Sequence, residues 1–538
     1  MSEKEKVLDL DSINSPKEGT IGSNESQEDG IRWGVFIPGI LFMGVAVILG
    51  IFNSNLLSSI ATNFFNWSLD NFGWLYQLAS ILAFIIVLVI TFSKFGNIRF
   101  GGKDAKPKYS FMTWFAMALT GGIATGIVNW GVNEPLIYFG NVYGELNQLG
   151  IEPNTSGAAI FSIARCFYNW TFIPYAIYSV AGLAVAYNYF NKKEKLTVTA
   201  TLKPLFGERI TKGVLAEVID TLCMLAITLG LASGLGTGLA LVASGLELTY
   251  GIPKTLIVWL AIGGLTTIIF TGASYLGIDK GIKVLATWNS KIFYILLIIL
   301  FFTGPMVYIL RISTAGMAEW LHNFWRWGLD PIDIGGAALT RSWTLFDWSV
   351  WIAYAPLMGL FLAMISYGRT IREFMIINWI MPSIFGLIWF SIWGGTAINW
   401  QLTGKVDLIN TLQTHGAVAG LWQFLNNFPF KMGVVIIPII MITLIISFAT
   451  AADAMTTTIA SMCMKNIAIG EEPPALQKIL WGLIIGSISI IMAAFGGGEQ
   501  GVEGVKALAA AGGFAVLFIF MLQLISIIKM FFIDKIEE

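Results

Sequence analysis

The sequence predicts an all-helical protein that crosses a membrane about twelve times. Three observations carry that reading. Hydrophobic residues make up 56% of the 538 residues and charged residues only 12%, against roughly 25% charged in soluble domains. Apolar runs recur along the chain at the length, about 20 residues, that a helix needs to cross a hydrocarbon core of roughly 30 Å. Lysine and arginine collect in alternate connections, as they do on the cytoplasmic side of membrane proteins.

The elements are taken in chain order. Residues 1–30 hold eight Asp or Glu and three Lys with no sustained apolar run, so residues 1–32 read as a disordered tail. No basic segment leads there into a short apolar core, which argues against a signal peptide. The expected spans are 33–54, 71–92, 109–139, 156–190, 214–247, 254–272, 282–311, 344–366, 375–399, 432–460, 476–495 and 506–532, with a short tail, 533–538, after them. Segments 317–327 and 407–426 mix charged and aromatic residues, so they read as interfacial helices.

Orientation comes from the basic residues. Lys94, Arg99, Lys103, Lys106 and Lys108 come after span two; Lys192, Lys193, Lys195, Lys203, Arg209 and Lys212 come after span four. Arg369 and Arg372 come after span eight, whereas 55–70 and 140–155, taken as loops, contain neither Lys nor Arg. Even-numbered connections are thus expected in the cytoplasm of a plasma-membrane protein, together with both termini.

Composition excludes several functions. The net charge of −1 offers no basic field for nucleic acid. Cys166, Cys223 and Cys463 each fall in an apolar run and read as small buried hydrophobes. His322 and His415 are the only histidines, too few for a zinc site or a histidine-based triad. With no phosphate-binding glycine loop, the chain is expected to be neither an enzyme nor a holder of a metal or cofactor. No selectivity-filter repeat suggests a channel.

Three spans carry the chemistry. Span eight holds Trp343, Trp348 and Trp351 and ends in Gly368-Arg369-Thr370-Ile371-Arg372-Glu373. Tryptophans deep in a span are poorly placed as interfacial anchors, but their faces attract a quaternary ammonium cation. Span three contains Gly121-Gly122-Ile123-Ala124-Thr125-Gly126, then Asn129-Trp130-Gly131 and Glu134-Pro135. Such a run can unwind where it lines a cavity, or simply pack closely. In span four, Trp170, Pro174 and Tyr178 recur every four residues and so share a helix face, with Tyr175 at its edge. Pro174 is expected to kink the helix. The run Gly230–Gly238 of span five reads as close packing.

At these residues the chain resembles the betaine/choline/carnitine transporters. Trp343-Thr344-Leu345-Phe346-Asp347-Trp348-Ser349-Val350-Trp351 with the Gly368–Phe374 segment is similar to that family's eighth span. Trp170-x4-Tyr175-x2-Tyr178, the stretch Asn129–Pro135 and Phe448-Ala449-Thr450-Ala451-Ala452-Asp453 resemble its fourth, third and tenth spans. The resemblance implies a leucine-transporter-like fold of two inverted five-helix repeats, 109–314 and 344–532, preceded by two extra helices, 33–92. It implies secondary transport of a trimethylammonium compound and assembly as a homotrimer in the lipid bilayer. The implied substrate residues are Trp170, Tyr175, Tyr178, Trp351, Tyr354 and Met358. An unwound span three would contribute Gly122, Ala124, Gly126 and Trp130. Glu134, Thr450 and Asp453 are candidates for ion or gating roles.

The sequence departs from the family pattern at informative places. Tyr175 stands where the family usually has Trp, and Val350 where another Trp is usual. Sodium-coupled members place Thr-Ser where this chain has Thr450-Ala451, so one hydroxyl ligand is missing. Met358 stands where carnitine/butyrobetaine exchangers have a methionine. These departures favour sodium-independent exchange; the alternative is a sodium- or proton-coupled symporter for glycine betaine or choline.

Overall fold

The computed structural model describes residues 30–123, 126–276, 282–330, 338–465, 472–495 and 499–534. Among them the extended pairings are two isolated bridges, Ile31 with Met464 and Arg99 with Thr370; the architecture is helical. The helices are α1 (Trp33–Phe92), α2 (Phe111–Ile123), α3 (Gly126–Gly140), α4 (Ser156–Trp170), α5 (Phe172–Phe190), α6 (Lys203–Phe206), α7 (Gly213–Tyr250), α8 (Leu256–Leu276) and α9 (Ile282–Thr303). They continue as α10 (Met306–Gly328), α11 (Phe346–Met364), α12 (Ile371–Met375), α13 (Met381–Leu402), α14 (Leu408–His415), α15 (Gly420–Asn426), α16 (Gly433–Met462), α17 (Ala475–Phe495) and α18 (Glu499–Ile528).

Among the described residues, ten helical stretches are long and apolar enough to cross a membrane. The α2/α3 pair and α17, whose qualifying stretch Ala475–Ile491 is shorter, account for the other two expected spans. The short helices α14 and α15 cover most of the mixed segment 407–426 without being long enough to cross.

Three boundaries differ from the sequence expectation. Segment 55–70 is helix, part of the 38-residue stretch Asn55–Phe92, and not a loop. It contains no Gly or Pro to stop a helix. The chain bends instead at Asn53, whose backbone leaves the helical region and whose Oδ1 accepts from the Leu56 N–H at 3.0 Å. The expected span 282–311 divides at Gly304-Pro305, because proline lacks an N–H and disfavours helix at the residue before it. Its second part begins α10, which buries Ile309, Ile312, Trp320 and Phe324 and leaves Val307, Leu310, Leu321 and Trp325 exposed. Span four breaks at Thr171, which has φ −120° and ψ −115°, rather than bending at Pro174. Proline clashes with the carbonyl four residues earlier, here that of Trp170. Trp170 therefore ends α4, while Tyr175 and Tyr178 belong to α5, and they do not share one helix face.

Span eight enters through a wide turn. Residues Thr340–Leu345 form a π-helical turn that runs straight into α11. Asp347 thus lies inside a continuous helical run and does not cap a free helix start.

Helices α5 and α11 lie side by side and run in the same direction. Tyr175 and Tyr178 meet Trp351, Ala181 and Gly182 meet Gly359, and Phe190 meets Tyr367. A Cβ at Gly359 would stand 2.8 Å from the Ala181 carbonyl carbon. The glycine permits this close crossing, which sets the aromatic rings beside each other one to two turns earlier.

Two arginine-centred motifs act as clamps. Arg372 donates to the carbonyls of Thr91 and Ser93 at 3.0 and 2.9 Å and to Asn97 Oδ1 at 2.7 Å. Arg369 lies 4.7 Å from the Trp114 ring and donates to the Tyr109 carbonyl at 2.6 Å. Gly368 has φ +75°, and a Cβ there would collide with the Lys106 carbonyl carbon, so glycine alone fits this turn. At the other motif, Arg32 pairs with the fully buried Asp220 of α7 at 2.8 Å. Its backbone N–H donates to the Cys463 carbonyl at 2.7 Å, and its guanidinium reaches the Met462 carbonyl at 3.1 Å. The start of the described chain is thereby fastened to the ends of both α16 and α7.

Candidate functional site

The Trp351 indole lies at the α5–α11 contact between two tyrosines. Its ring centroid is 5.2 Å from that of Tyr175, edge to face at 77°, and 4.4 Å from that of Tyr178, tilted at 40°. All three are buried, with 4–7% of their surface exposed. Rings 4.4 Å apart leave no room between them for a trimethylammonium group. The cluster is therefore closed, and a cation would be received on its remaining faces or after the rings part.

Trp170, the fourth expected member, is held separately. Its indole N–H donates to Glu134 Oε2 at 2.6 Å, and its ring packs on Phe390 of α13 at 5.9 Å. Glu134 is fully buried on α3. Its other oxygen accepts from the Tyr138 hydroxyl at 2.8 Å and from Asn169 Nδ2 at 3.3 Å. The carboxyl side chain thus orients Trp170 and ties α3 to α4. An unpaired buried polar group costs about 1–3 kcal/mol, so this network fixes the indole in one place.

The remaining expected residues divide. Tyr354 turns toward α7: a Cβ at Gly230 would fall onto its ring, so its contact is with that helix. Met358 is buried one turn further along α11. Trp130 meets Trp343 edge to face at 5.8 Å, and Trp343 also meets Tyr138 at 5.1 Å. Gly126 begins α3 beside Trp170: a Cβ there would be 3.3 Å from that indole. Gly122 falls in the last turn of α2, while Ala124 lies outside the described residues. Thr450 is buried on α16 and donates to the Ile446 carbonyl at 2.8 Å. Asp453 is fully buried three residues on, next to Ser274 of α8. Neither is drawn into the aromatic cluster.

Sequence reasoning missed four participants: Phe390 behind Trp170, Tyr138 and Asn169 on Glu134, and Thr344, whose hydroxyl donates to Asn169 Oδ1 at 2.9 Å. The spacing Glu134-x3-Tyr138 places both on one face of α3 and was the available signal. Phe390 offered none, being one of many aromatics in span nine.

Secondary transporters place their substrate sites between spans, and this multi-pass bundle has buried aromatic rings where two spans meet. Residues 34–535 match the model of the BCCT, betaine/carnitine/choline family transporters, and the chain belongs to that family. It is similar to the protein described as glycine betaine transporter 1 of Vibrio parahaemolyticus serotype O3:K6 (strain RIMD 2210633), with 30% identity over 97% of this chain and 98% of that one. It is also similar to the probable glycine betaine transporter of Desulfitobacterium hafniense (strain Y51), at 30% identity over 90% and 94% of the two chains. The ectoine/hydroxyectoine transporter of Virgibacillus pantothenticus is 29% identical, over 86% and 90%.

Proposed function

We propose that this transporter carries trimethylammonium zwitterions such as glycine betaine or carnitine and works as a sodium-independent exchanger by alternating access. The observation that carries the substrate reading is the buried Tyr175–Tyr178–Trp351 cluster. Cation–π attraction is worth roughly 0.5–2 kcal/mol per ring, enough when several rings converge to bind a cation without a carboxylate. A buried acid in the cage would repel the substrate's own carboxylate. Met358, further along the same helix, faces the far end of the substrate, Tyr354 backs the cage from its slot on α7, and Trp170, held by Glu134, is the fourth wall. Tyrosine in place of tryptophan at position 175 makes the cage lighter.

Exchange is supported by Ala451, which leaves no hydroxyl at the position next to Thr450. The alternative is sodium- or proton-coupled uptake, in which Glu134, Thr450 or Asp453 would take part. We further assign both termini to the cytoplasm of the plasma membrane, residues 109–314 and 344–532 to two inverted repeats after the helices of 33–92, and a homotrimeric assembly.

The test is uptake of labelled glycine betaine, carnitine and ectoine into proteoliposomes, with and without sodium and with and without internal substrate. Uptake that requires internal substrate and ignores sodium establishes exchange. Uptake driven by a sodium gradient into empty vesicles overturns it. Transport of ectoine alone overturns the trimethylammonium assignment.

A further inference from the structure

One buried array joins α4, which carries Trp170, to the helical run that carries Trp351, and the substrate reading does not use it. Arg165 and Asn169 stand one turn apart on α4; Thr340 and Thr344 stand one turn apart in the π-helical entry to span eight. Arg165 Nη2 donates to Thr344 Oγ1 at 2.6 Å and to Thr340 Oγ1 at 3.3 Å. Thr344 in turn donates to Asn169 Oδ1 at 2.9 Å. Thr340 donates to Asp330 Oδ2 at 2.6 Å. The guanidinium is flanked by the Trp327 ring, 4.8 Å away, and the Tyr168 ring at 5.6 Å. Arg165, Asn169, Thr340 and Thr344 are all buried.

The array reaches the Trp170 indole on one side and the helix of Trp351 on the other. Asn169 spends its Oδ1 on Thr344 and its Nδ2 on Glu134 and the Tyr138 hydroxyl, at 3.3 and 3.1 Å, and Glu134 holds the Trp170 N–H. Thr344 lies on the same helical run as Trp351, seven residues ahead of it. A continuous chain of hydrogen bonds therefore runs from Trp170 through Glu134 and Asn169 to the helix of Trp351. The ring contacts of Trp351 itself are with α5, across the break at Thr171. The array ties α4 to the helix of Trp351 across that break, beside the Tyr168–Trp348 ring contact at 5.6 Å.

We propose that Asn169 and Thr344 are positioning residues for substrate recognition: they lock Trp170 to the helix of Trp351, so that the separated parts of the cage move as one body. This rests on the aromatic rings being the substrate site. Neither residue touches the rings; both act through Glu134 and through the helix they join.

The test uses the full-length protein in proteoliposomes with glycine betaine as probe. Thr344→Val keeps the shape and removes the hydroxyl. It is expected to raise KM about five- to tenfold, the effect of one buried hydrogen bond, while kcat stays within about twofold of wild type, and Thr344→Ser is expected to restore KM. An unchanged KM in Thr344→Val, or a Thr344→Ser variant as impaired as Thr344→Val, overturns the proposal. If Thr344→Val does not fold, Asn169→Ser is read by the same split between KM and kcat. If wild type does not take up glycine betaine, the substrate reading fails by itself. The lock is then judged without ligand, from the melting temperatures of Thr344→Val, Glu134→Gln and the double variant. Shifts smaller in combination than their sum support the lock, and additive shifts overturn it.

Discussion

The Tyr178 ring and the Trp351 indole stand 4.4 Å apart at an angle of 40°, one on each of two parallel helices. The pair is close enough to shed water and too close to hold a cation between its faces. Trp351→Ala removes the central ring and is expected to lose about 2 kcal/mol of cation binding, the desolvated end of the range, or about thirtyfold in KM. Trp351→Phe keeps an aromatic face and is expected to fall between. Initial rates of glycine betaine uptake at varied concentration check both.

Glu134 accepts from three side chains at once, Trp170, Tyr138 and Asn169. Glu134→Leu leaves the Trp170 N–H and the Tyr138 hydroxyl without that acceptor, at about 1–3 kcal/mol for each buried group. Glu134→Gln keeps an acceptor oxygen and is expected to be milder. Melting in detergent, monitored by tryptophan fluorescence, should rank wild type above Glu134→Gln above Glu134→Leu.

The Arg32–Asp220 pair sits with its acid fully buried. Arg32→Ala strands that acid and is expected to destabilise the protein by about 3–5 kcal/mol. Adding Asp220→Asn to Arg32→Ala should recover part of the loss, because the stranded group is then neutral. A double variant no more stable than Arg32→Ala would contradict this account of the pair.

Gly359 faces backbone, not side chain: its Cβ would lie 2.8–3.0 Å from atoms of Ala181 and Gly182. Gly359→Ala is expected to push α5 and α11 apart, at about 1–3 kcal/mol, and to lower substrate affinity through the rings they carry. Gly44 is the contrast, with nothing within 4 Å of its Cβ position. Gly44→Ala is expected to stabilise α1 by about 0.5–1 kcal/mol and to leave transport unchanged. Melting temperature and uptake measured on both variants separate the two cases.

The membrane spans and the aromatic residues were legible in the sequence because both rest on local pattern. Apolar length reports a span, and tryptophan within one is conspicuous. Partnerships across the bundle were not legible. Glu134 and Trp170 are 36 residues apart, and nothing in either motif says that one holds the other. The spacing of Trp170, Pro174 and Tyr178 suggested a shared face, but proline acted on the backbone four residues earlier and divided them at Thr171. Tyr354 has the right spacing from Trp351 for the cage, yet Gly230 offers it a slot in α7. Segment 55–70 was misread because Asn55, Ser58, Ser59, Asn63 and Asn66 interrupt the apolar run without stopping the helix.

The wide turn at Thr340–Leu345 has a consequence for how this span tolerates change. An i→i+5 turn absorbs one more residue than an α-turn, so it works as a phase shifter, setting the angular offset between the residues that enter it and those of α11. Trp351 keeps its bearing toward Tyr178 through its close crossing with α5, whereas Thr344 meets Asn169 only while the extra residue is stored. Deleting one residue within the turn would let the helix close to ordinary pitch, leaving the downstream rings in register and rotating the upstream threonines away from α4. Length variation at this point of the chain is thus a dial on the coupling between the two helices, separable from the chemistry of the rings themselves.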